Sequence, residues 1–79
     1  MPDITVEYFA LFRACARKHS EKIASESGAE ALYEGLRARY AFPLPKESVH
    51  LAVNDEYAPW DRPLRSGDRV VFIPPVSGG

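Results

Sequence analysis

Alternating apolar and polar side chains predict several short strands in this 79-residue chain. Ile4, Val6 and Tyr8 alternate with polar residues, and a period of two is typical of a strand buried on one face. Glu21 to Ala24 is a second strand candidate, expected to lie beside the first as an antiparallel partner. Val49 to Val53 alternates again. These segments are long enough for the strands of a small sheet.

The last predicted strand is the most apolar and is preceded by two turn signals. Asn54 and Asp55 predict a tight turn because both residues tolerate left-handed backbone conformations, so that the chain doubles back through residues 56–58. Ser66-Gly67-Asp68 is the second turn signal, and residues 69–73 (RVVFI) follow it. A nearly continuous apolar run predicts a central strand that is covered on both faces.

A first, short helix is predicted between the first two strands. Ala10 to Lys18 is rich in residues that favour helices. Its spacing places Leu11, Ala14 and Cys15 on one side, which we expect to face the core.

A second, longer helix is predicted at about residues 28–40. Ser27 and Glu30 fit a capping box, which satisfies the unpaired N–H groups at a helix start. Pro43 prevents the helix from continuing. Its apolar face is formed by residues that recur every four positions: Leu32, Leu36 and Tyr40.

The predicted order of strand, short helix, strand, helix and three strands is an α+β fold. One mixed sheet of four to five strands, with one main helix packed across it, is a two-layer core that a chain of this length can build. If the first and last strands pair in parallel at the centre, the arrangement is the ubiquitin-like β-grasp. We expect the β-grasp domain at residues 1–73 and an extended tail at residues 74–79.

Composition excludes several classes of function. The formal net charge is −1, so the overall balance does not point to nucleic-acid binding, which needs a concentrated basic surface. A local basic run, Arg13, Arg17, Lys18 and His19, is interpreted as a solvated face. A single cysteine, Cys15, excludes an internal disulfide and favours a reducing compartment. No signal-peptide pattern and no apolar run of roughly 20 residues is present. We therefore expect a cytoplasmic protein that binds neither nucleic acid nor a membrane.

Side chains that could carry catalysis or bind a metal are sparse. His19 and His50 are isolated and have no metal-ligand spacing, so no metal site is predicted. Cys15 is interpreted as a packing residue of the short helix, because free cysteine is among the most buried residue types. The remaining candidates are carboxylates in predicted turns, where Asp is common for backbone reasons: Asp55, Glu56, Asp61 and Asp68. We expect the chain alone to be non-catalytic.

The last six residues are the most unusual feature of the sequence. Pro74 and Pro75 favour an extended chain and cannot donate ladder hydrogen bonds. Six extended residues reach at most about 20 Å. Two terminal glycines, Gly78 and Gly79, would let the backbone enter a narrow tunnel and approach another protein's active site. Taken alone, a terminal Ser-Gly-Gly is also compatible with a frayed end or a cloning remnant.

These residues together resemble the small, sulfur-carrying subunit of molybdopterin synthase. The similar segments are residues 6–13 (VEYFALFR), 51–54 (LAVN), 63–68 (PLRSGD) and, most specifically, 71–79 (VFIPPVSGG). The resemblance implies a ubiquitin-like β-grasp fold and a sulfur carrier for molybdenum cofactor biosynthesis. Residues 21–47 agree only in their helical pattern, and Trp60 belongs to no motif of the family.

The resemblance also implies a chemistry for the tail. An ATP-dependent, E1-like partner would adenylate the carboxylate of Gly79, and a sulfur donor protein would convert it to a thiocarboxylate. The sulfur would pass to a cyclic pterin precursor within a heterotetramer formed with the large synthase subunit. ATP would be consumed by the activating partner, so no bound cofactor is expected. The tail residues that would contact the large subunit are Gly78, Ser77, Val76, Pro75 and Pro74.

A docking surface near the tail is a further hypothesis. Phe9 lies on the polar side of the first strand, and Tyr57 and Ile73 are expected on the same side of the sheet. Three apolar side chains near the tail would form a patch suited to a protein partner. The alternative is that a covering loop buries them.

Three other functions compete with this interpretation. One is a sulfur carrier for thiamin thiazole synthesis, and another is a ubiquitin-like modifier or adaptor that carries no sulfur. The third is an enzyme that uses Cys15 as its nucleophile. Each predicts a different observation: a thiazole synthase partner, attachment to target lysines, or activity of the isolated chain.

Overall fold

The computed structural model describes residues 3–24 and 28–75. It contains the predicted order of elements, with one added turn of 3-10 helix at Lys46–Ser48, and the α+β prediction is confirmed. In chain order the elements are β1 Asp3–Glu7, α1 Ala10–Ala16, β2 Ser20–Ala24, α2 Ala29–Tyr40, β3 His50–Val53, β4 Glu56–Ala58 and β5 Arg69–Ile73.

The strands form one mixed sheet in the order β2-β1-β5-β3-β4. At its centre β1 and β5 run parallel, with Thr5 opposite Arg69 and Glu7 opposite Val71. β2 pairs antiparallel with β1, β3 pairs antiparallel with β5, and β3 and β4 form a hairpin. Because the first and last strands are the parallel central pair, the prediction of a β-grasp sheet is confirmed.

The β3–β4 turn is built as its sequence predicts. Asn54 and Asp55 both have positive φ, 53° and 71°, which suits the twist of a tight hairpin. The Asn54 side chain also fixes the start of β5. Its Nδ2 donates to Asp68 Oδ1 at 2.9 Å, and its Oδ1 accepts from the backbone N–H of Arg69 at 2.9 Å.

The hydrophobic core lies between one face of the sheet and the two helices. Its centre is a group of aromatic rings: the Phe12 and Phe42 centroids lie 4.9 Å apart, as do those of Tyr33 and Phe72. Trp60 is half-buried and stacks on Phe72 at 6.1 Å. The side chains predicted to face the core from β1 are all fully buried: Ile4, Val6 and Tyr8.

The predicted inner face of α1 is wrong at Ala14 and omits the two residues that are buried. Ala14 is exposed, whereas Phe12 and Ala16 are buried. Leu11 and Cys15 are half-buried and pack against the edge of the core. The large Phe12 ring buries the most apolar surface and therefore takes the inward position.

Helix α2 follows its prediction closely. Leu32 and Leu36 are buried and Tyr40 is half-buried. Gly28 is the N-cap residue. Ser27, the hydroxyl partner in the predicted capping box, lies outside the described residues, and that box stays a prediction.

The expectation that β5 is buried on both faces is confirmed along its middle, where Val70, Val71 and Phe72 are at most 8 % exposed, but only one of these faces lies under the helices. Val70 and Phe72 belong to the buried cluster under the helices, but Val71 does not. Val71 lies on the opposite face, where it lines an open depression.

Candidate docking face and tail root

The open face of the sheet carries an apolar depression of about 340 Å³. Strand register places one residue from each of four strands in a row across it, because Glu7 pairs with Val71, Val71 with Ala52, and Ala52 with Tyr57. Side chains two residues apart share a face of a strand, so Ile73 lies beside Val71. The complete lining is Glu7, Phe9, Ala52, Asp55, Tyr57, Val71 and Ile73.

The three residues predicted as a docking patch all line this depression. Tyr57 is 77 % exposed and Phe9 is 45 % exposed, and Ile73 is half-buried. They are therefore not covered by a loop within the part of the chain that the structure describes. That this face binds a partner stays a prediction.

Arg13 from α1 holds Phe9 in place at the edge of the depression. Its Nε donates to the backbone carbonyl of Tyr8 at 3.2 Å, and its guanidinium lies 5.8 Å from the centre of the Phe9 ring. A cation over an aromatic face is attractive even at an exposed site. Sequence reasoning named Phe9 but missed this support, which depends on the turn from β1 into α1.

An ion triad at the end of the depression near the β3–β4 turn was also missed. Arg69 Nη2 donates to Asp55 Oδ1, and Arg69 Nε lies 3.6 Å from Glu7 Oε2. The parallel pairing of β1 and β5 brings Glu7 next to Arg69 across 62 residues of sequence. Only the strand register, which alternation alone does not give, could have predicted the triad.

The tail begins at the opposite end of the depression. β5 ends at Ile73, and Pro74, half-buried, and Pro75, exposed, follow directly. Val76, Ser77, Gly78 and Gly79 lie outside the described residues, so their roles stay predictions, as does the division into domain and tail.

Glu21 joins β2 to the helix-covered side of the molecule. Its Oε2 accepts hydrogen bonds from the Tyr8 hydroxyl at 2.6 Å and the Tyr40 hydroxyl at 2.7 Å, and Lys18 Nζ lies 3.5 Å from its Oε1. Desolvation raises the pKa of Glu21, but the two phenols and Lys18 outweigh it and hold that pKa below its usual value. Burial and the hydrogen bond to Glu21 raise the pKa of Tyr8 far above its usual range. This cluster is structural and does not face the depression.

A buried carboxylate fixes the loop before β5. Asp68 is 7 % exposed and accepts hydrogen bonds from the Arg65 backbone N–H at 2.7 Å, from Asn54 Nδ2 and from Arg62 Nη1. The Arg65 hydrogen bond is the main cause that lowers the pKa of Asp68. The sequence predicted Asp68 as a turn residue, but not as a buried residue that accepts three hydrogen bonds.

The other candidate side chains are dispersed. His19 and His50 are exposed, and Cys15 is half-buried at the edge of the core. Within residues 3–24 and 28–75, no group of three or more His, Cys, Asp or Glu side chains could hold a metal ion. Over the same ranges, neither helix is long and apolar enough to cross a bilayer.

The parallel central pair, the single covering layer of helices and the diproline after β5 define a ubiquitin-like β-grasp domain. A model of the ThiS family matches residues 6–79, and the chain belongs to that family. It is 35 % identical over 80 residues to the molybdopterin synthase sulfur carrier subunit of Escherichia coli K12, covering 96 % of this chain and 99 % of that protein.

Solved structures share the fold. A candidate molybdopterin converting factor subunit 1 from Pyrococcus furiosus is 30 % identical, with a TM-score of 0.79 over 96 % of this chain and 100 % of that one. Subunits 1 and 2 of molybdopterin-converting factor from Helicobacter pylori form a complex; the match has 22 % identity, TM-score 0.69 and coverage of 98 % and 99 %. The small archaeal modifier protein 1 of Methanosarcina acetivorans has 21 % identity, TM-score 0.80 and coverage of 100 % and 98 %. Matches at 21–22 % identity show the fold alone.

Proposed function

We propose that this chain is the sulfur carrier subunit of a molybdopterin synthase and that the carboxylate of Gly79 carries the sulfur. The main support is that the family match continues through residue 79 and so includes the tail as well as the domain. A relative named for this function also aligns over nearly the whole of both chains. In this proposal the domain presents the tail, and the chemistry takes place on its last residue.

Activation of the tail needs a partner that supplies ATP. A free carboxylate is a poor electrophile. An E1-like enzyme joins the Gly79 carboxylate to AMP and releases pyrophosphate. The terminal sulfur of a persulfide on the donor protein then attacks the carbonyl carbon, and AMP leaves. A thiol attacks the S–S bond of the resulting acyl disulfide, which releases the thiocarboxylate on Gly79 and leaves a disulfide on the thiol side. Gly79 is thus consumed and recharged in each cycle, like a tethered substrate.

Docking on the large subunit follows from the path of β5. The same strand contributes Val71 and Ile73 to the depression and continues into Pro74 and Pro75. A partner that covers the depression therefore receives the tail from a fixed point. Prolines restrict the directions that the chain can take, which lowers the entropic cost of ordering it in a tunnel. The complex of subunits 1 and 2 in the Helicobacter pylori relative supports a large-subunit partner.

The partners in this proposal are the large synthase subunit, assembled with this chain as a heterotetramer, the E1-like enzyme and a sulfur donor protein. The proposed location is the cytoplasm, in keeping with a single cysteine that cannot form an internal disulfide.

The proposal is tested by the intact mass of the chain after incubation with the activating enzyme, ATP and a sulfur donor. We expect a mass gain equal to the exchange of one oxygen for sulfur, located on the C-terminal fragment. The matched control lacks only Gly79 and should stay unmodified. If the full-length chain keeps an ordinary carboxylate while the activating enzyme charges a known substrate, sulfur carriage is wrong.

The two related functions differ in the partner rather than in the fold. A thiazole-pathway carrier would gain the same mass but would co-purify with a thiazole synthase. A modifier would be found joined to lysines of other proteins through an amide bond. Because the modifier of Methanosarcina acetivorans shares the fold, structure alone does not distinguish these functions.

A further inference from the structure

The depression on the open face has one polar end, which lies away from the tail. Glu7 and Asp55 line this end, whereas Arg69, which bridges them, is not among the lining residues. The two carboxylate residues therefore contribute to the lining, with Asp55 the most exposed member of the triad at 78 %, against 38 % for Arg69 and 32 % for Glu7.

The charges of this triad do not cancel. Two carboxylates oppose one guanidinium, which leaves one net negative charge. The Asp55 side chain is 78 % exposed, so it stays open to a partner even while it accepts the hydrogen bond from Arg69. Arg69 is shared between the two carboxylates, since its Nη2 donates to Asp55 Oδ1 and its buried Nε lies 3.6 Å from Glu7 Oε2.

We propose that the protein that docks on this face places a lysine or arginine side chain at this end, facing Asp55 and Glu7. The inference rests on the proposed function, which supplies the docking event. Apolar contact with Phe9 and Val71 is non-directional, whereas a charge pair at one end fixes the orientation of the partner. The partner's tunnel entrance then lies at the other end, where Ile73 leads into the tail.

The test measures binding to the large synthase subunit from the same organism. Asp55→Asn removes the charge and keeps the shape, and asparagine tolerates the positive φ at this position. We expect binding about two- to fivefold weaker, as for a partly solvated charge pair, with a smaller dependence on salt. Asp61→Asn is the matched control, since Asp61 is exposed and does not line the depression. It should bind as the unaltered chain does.

Arg69→Gln should change the interaction with the large subunit in the opposite direction from Asp55→Asn. It leaves both carboxylates unneutralised, so association with a cationic partner should become faster at low salt and lose this gain at high salt. Trp60 fluorescence, which reports the core through its stacking on Phe72, verifies that each variant is folded. Slower association of folded Arg69→Gln, or equal effects of Asp55→Asn and Asp61→Asn, would overturn the inference.

Phe9→Asp separates this inference from the proposed function. If Phe9→Asp binds normally, the open face is not the docking surface and both proposals about docking are wrong. If Phe9→Asp abolishes binding while Asp55→Asn equals its control, the docking face stands and only the cationic contact is wrong.

Discussion

The two faces of the sheet use the same kinds of side chains for different purposes. On the helix-covered face, Val70 and Phe72 are fully buried by the chain itself. On the open face, Val71 and Ala52 form a floor bordered by the exposed rings of Phe9 and Tyr57. Neighbouring residues of β5 thus belong to different surfaces. Burial within the chain stabilises the fold, whereas apolar side chains left at the surface gain their stabilisation only when a partner covers them.

The largest expected contrast comes from removing one phenylalanine from each face. Phe12→Ala should lower the free energy of unfolding by about 3–5 kcal/mol, because it leaves a cavity among packed aromatic rings. Phe9→Ala should change it by about 0.5 kcal/mol or less, as is usual at the surface. Urea unfolding followed by Trp60 fluorescence measures both. Equal losses of stability would contradict the distinction between the faces.

Affinity for the large subunit should depend on the open face rather than on the helix-covered face, the reverse of the order for stability. Phe9→Asp places a charge in the apolar depression and should weaken binding of the large subunit by about thirtyfold or more, the effect of losing a central anchor of about 2 kcal/mol. Its urea midpoint should stay unchanged. Ala31→Asp adds the same charge at an exposed position of α2, on the other side of the molecule, and should bind normally. Titration calorimetry of the unaltered chain and the two variants measures their affinities for the large subunit. Undiminished affinity of Phe9→Asp would show that the open face is not the docking surface.

Acid should lower the free energy of unfolding because it protonates Glu21 on the helix-covered side. Its pKa in the folded chain lies below the usual value of 4.5, so its contribution to stability is present above that value. It is lost as the pH falls through the folded pKa. Glu21→Gln should cost about 1–2 kcal/mol near neutral pH, where the carboxylate accepts two phenol hydrogen bonds. The difference from the unaltered chain should shrink in acid, and a difference that is constant with pH would exclude this role.

The smallest effect is expected on the outer surface of α2. Gly35 lies inside the helix, and a Cβ built there meets no atom within 4 Å. Gly35→Ala should therefore raise the free energy of unfolding by about 0.5–1 kcal/mol, because alanine loses less backbone entropy in a helix. Affinity for the large subunit should not change. Weaker binding would indicate that this helix surface also contacts the partner.

The covered side could be predicted from the sequence in most respects. Alternation found the buried residues of β1, the four-residue spacing found the face of α2, and Asn54-Asp55 identified the hairpin turn. The face of α1 was wrong because a seven-residue helix offers too short a pattern to determine its rotation. The burial of β5 was predicted, but an apolar run does not show which face of the strand lies under the helices.

The candidate site was only partly predictable. Phe9, Tyr57 and Ile73 share a face because the side-chain period of a strand is two, and the sequence shows that period. The triad of Glu7, Asp55 and Arg69, and the support of Phe9 by Arg13, depend on strand register and on the turn after β1. Those contacts join residues far apart in the chain or across a tight turn, and local patterns do not specify them.

The most direct test of the account starts with the thiocarboxylate form of the chain, prepared by sulfide cleavage of a C-terminal thioester so that no activating enzyme is needed. Mass spectrometry follows its sulfur after the large subunit and the cyclic pterin precursor are added. We expect the unaltered chain to return to a carboxylate as the precursor gains sulfur, whereas charged Phe9→Asp retains its sulfur. If the unaltered chain keeps its sulfur in the complete mixture, this chain is not a sulfur carrier for that synthase.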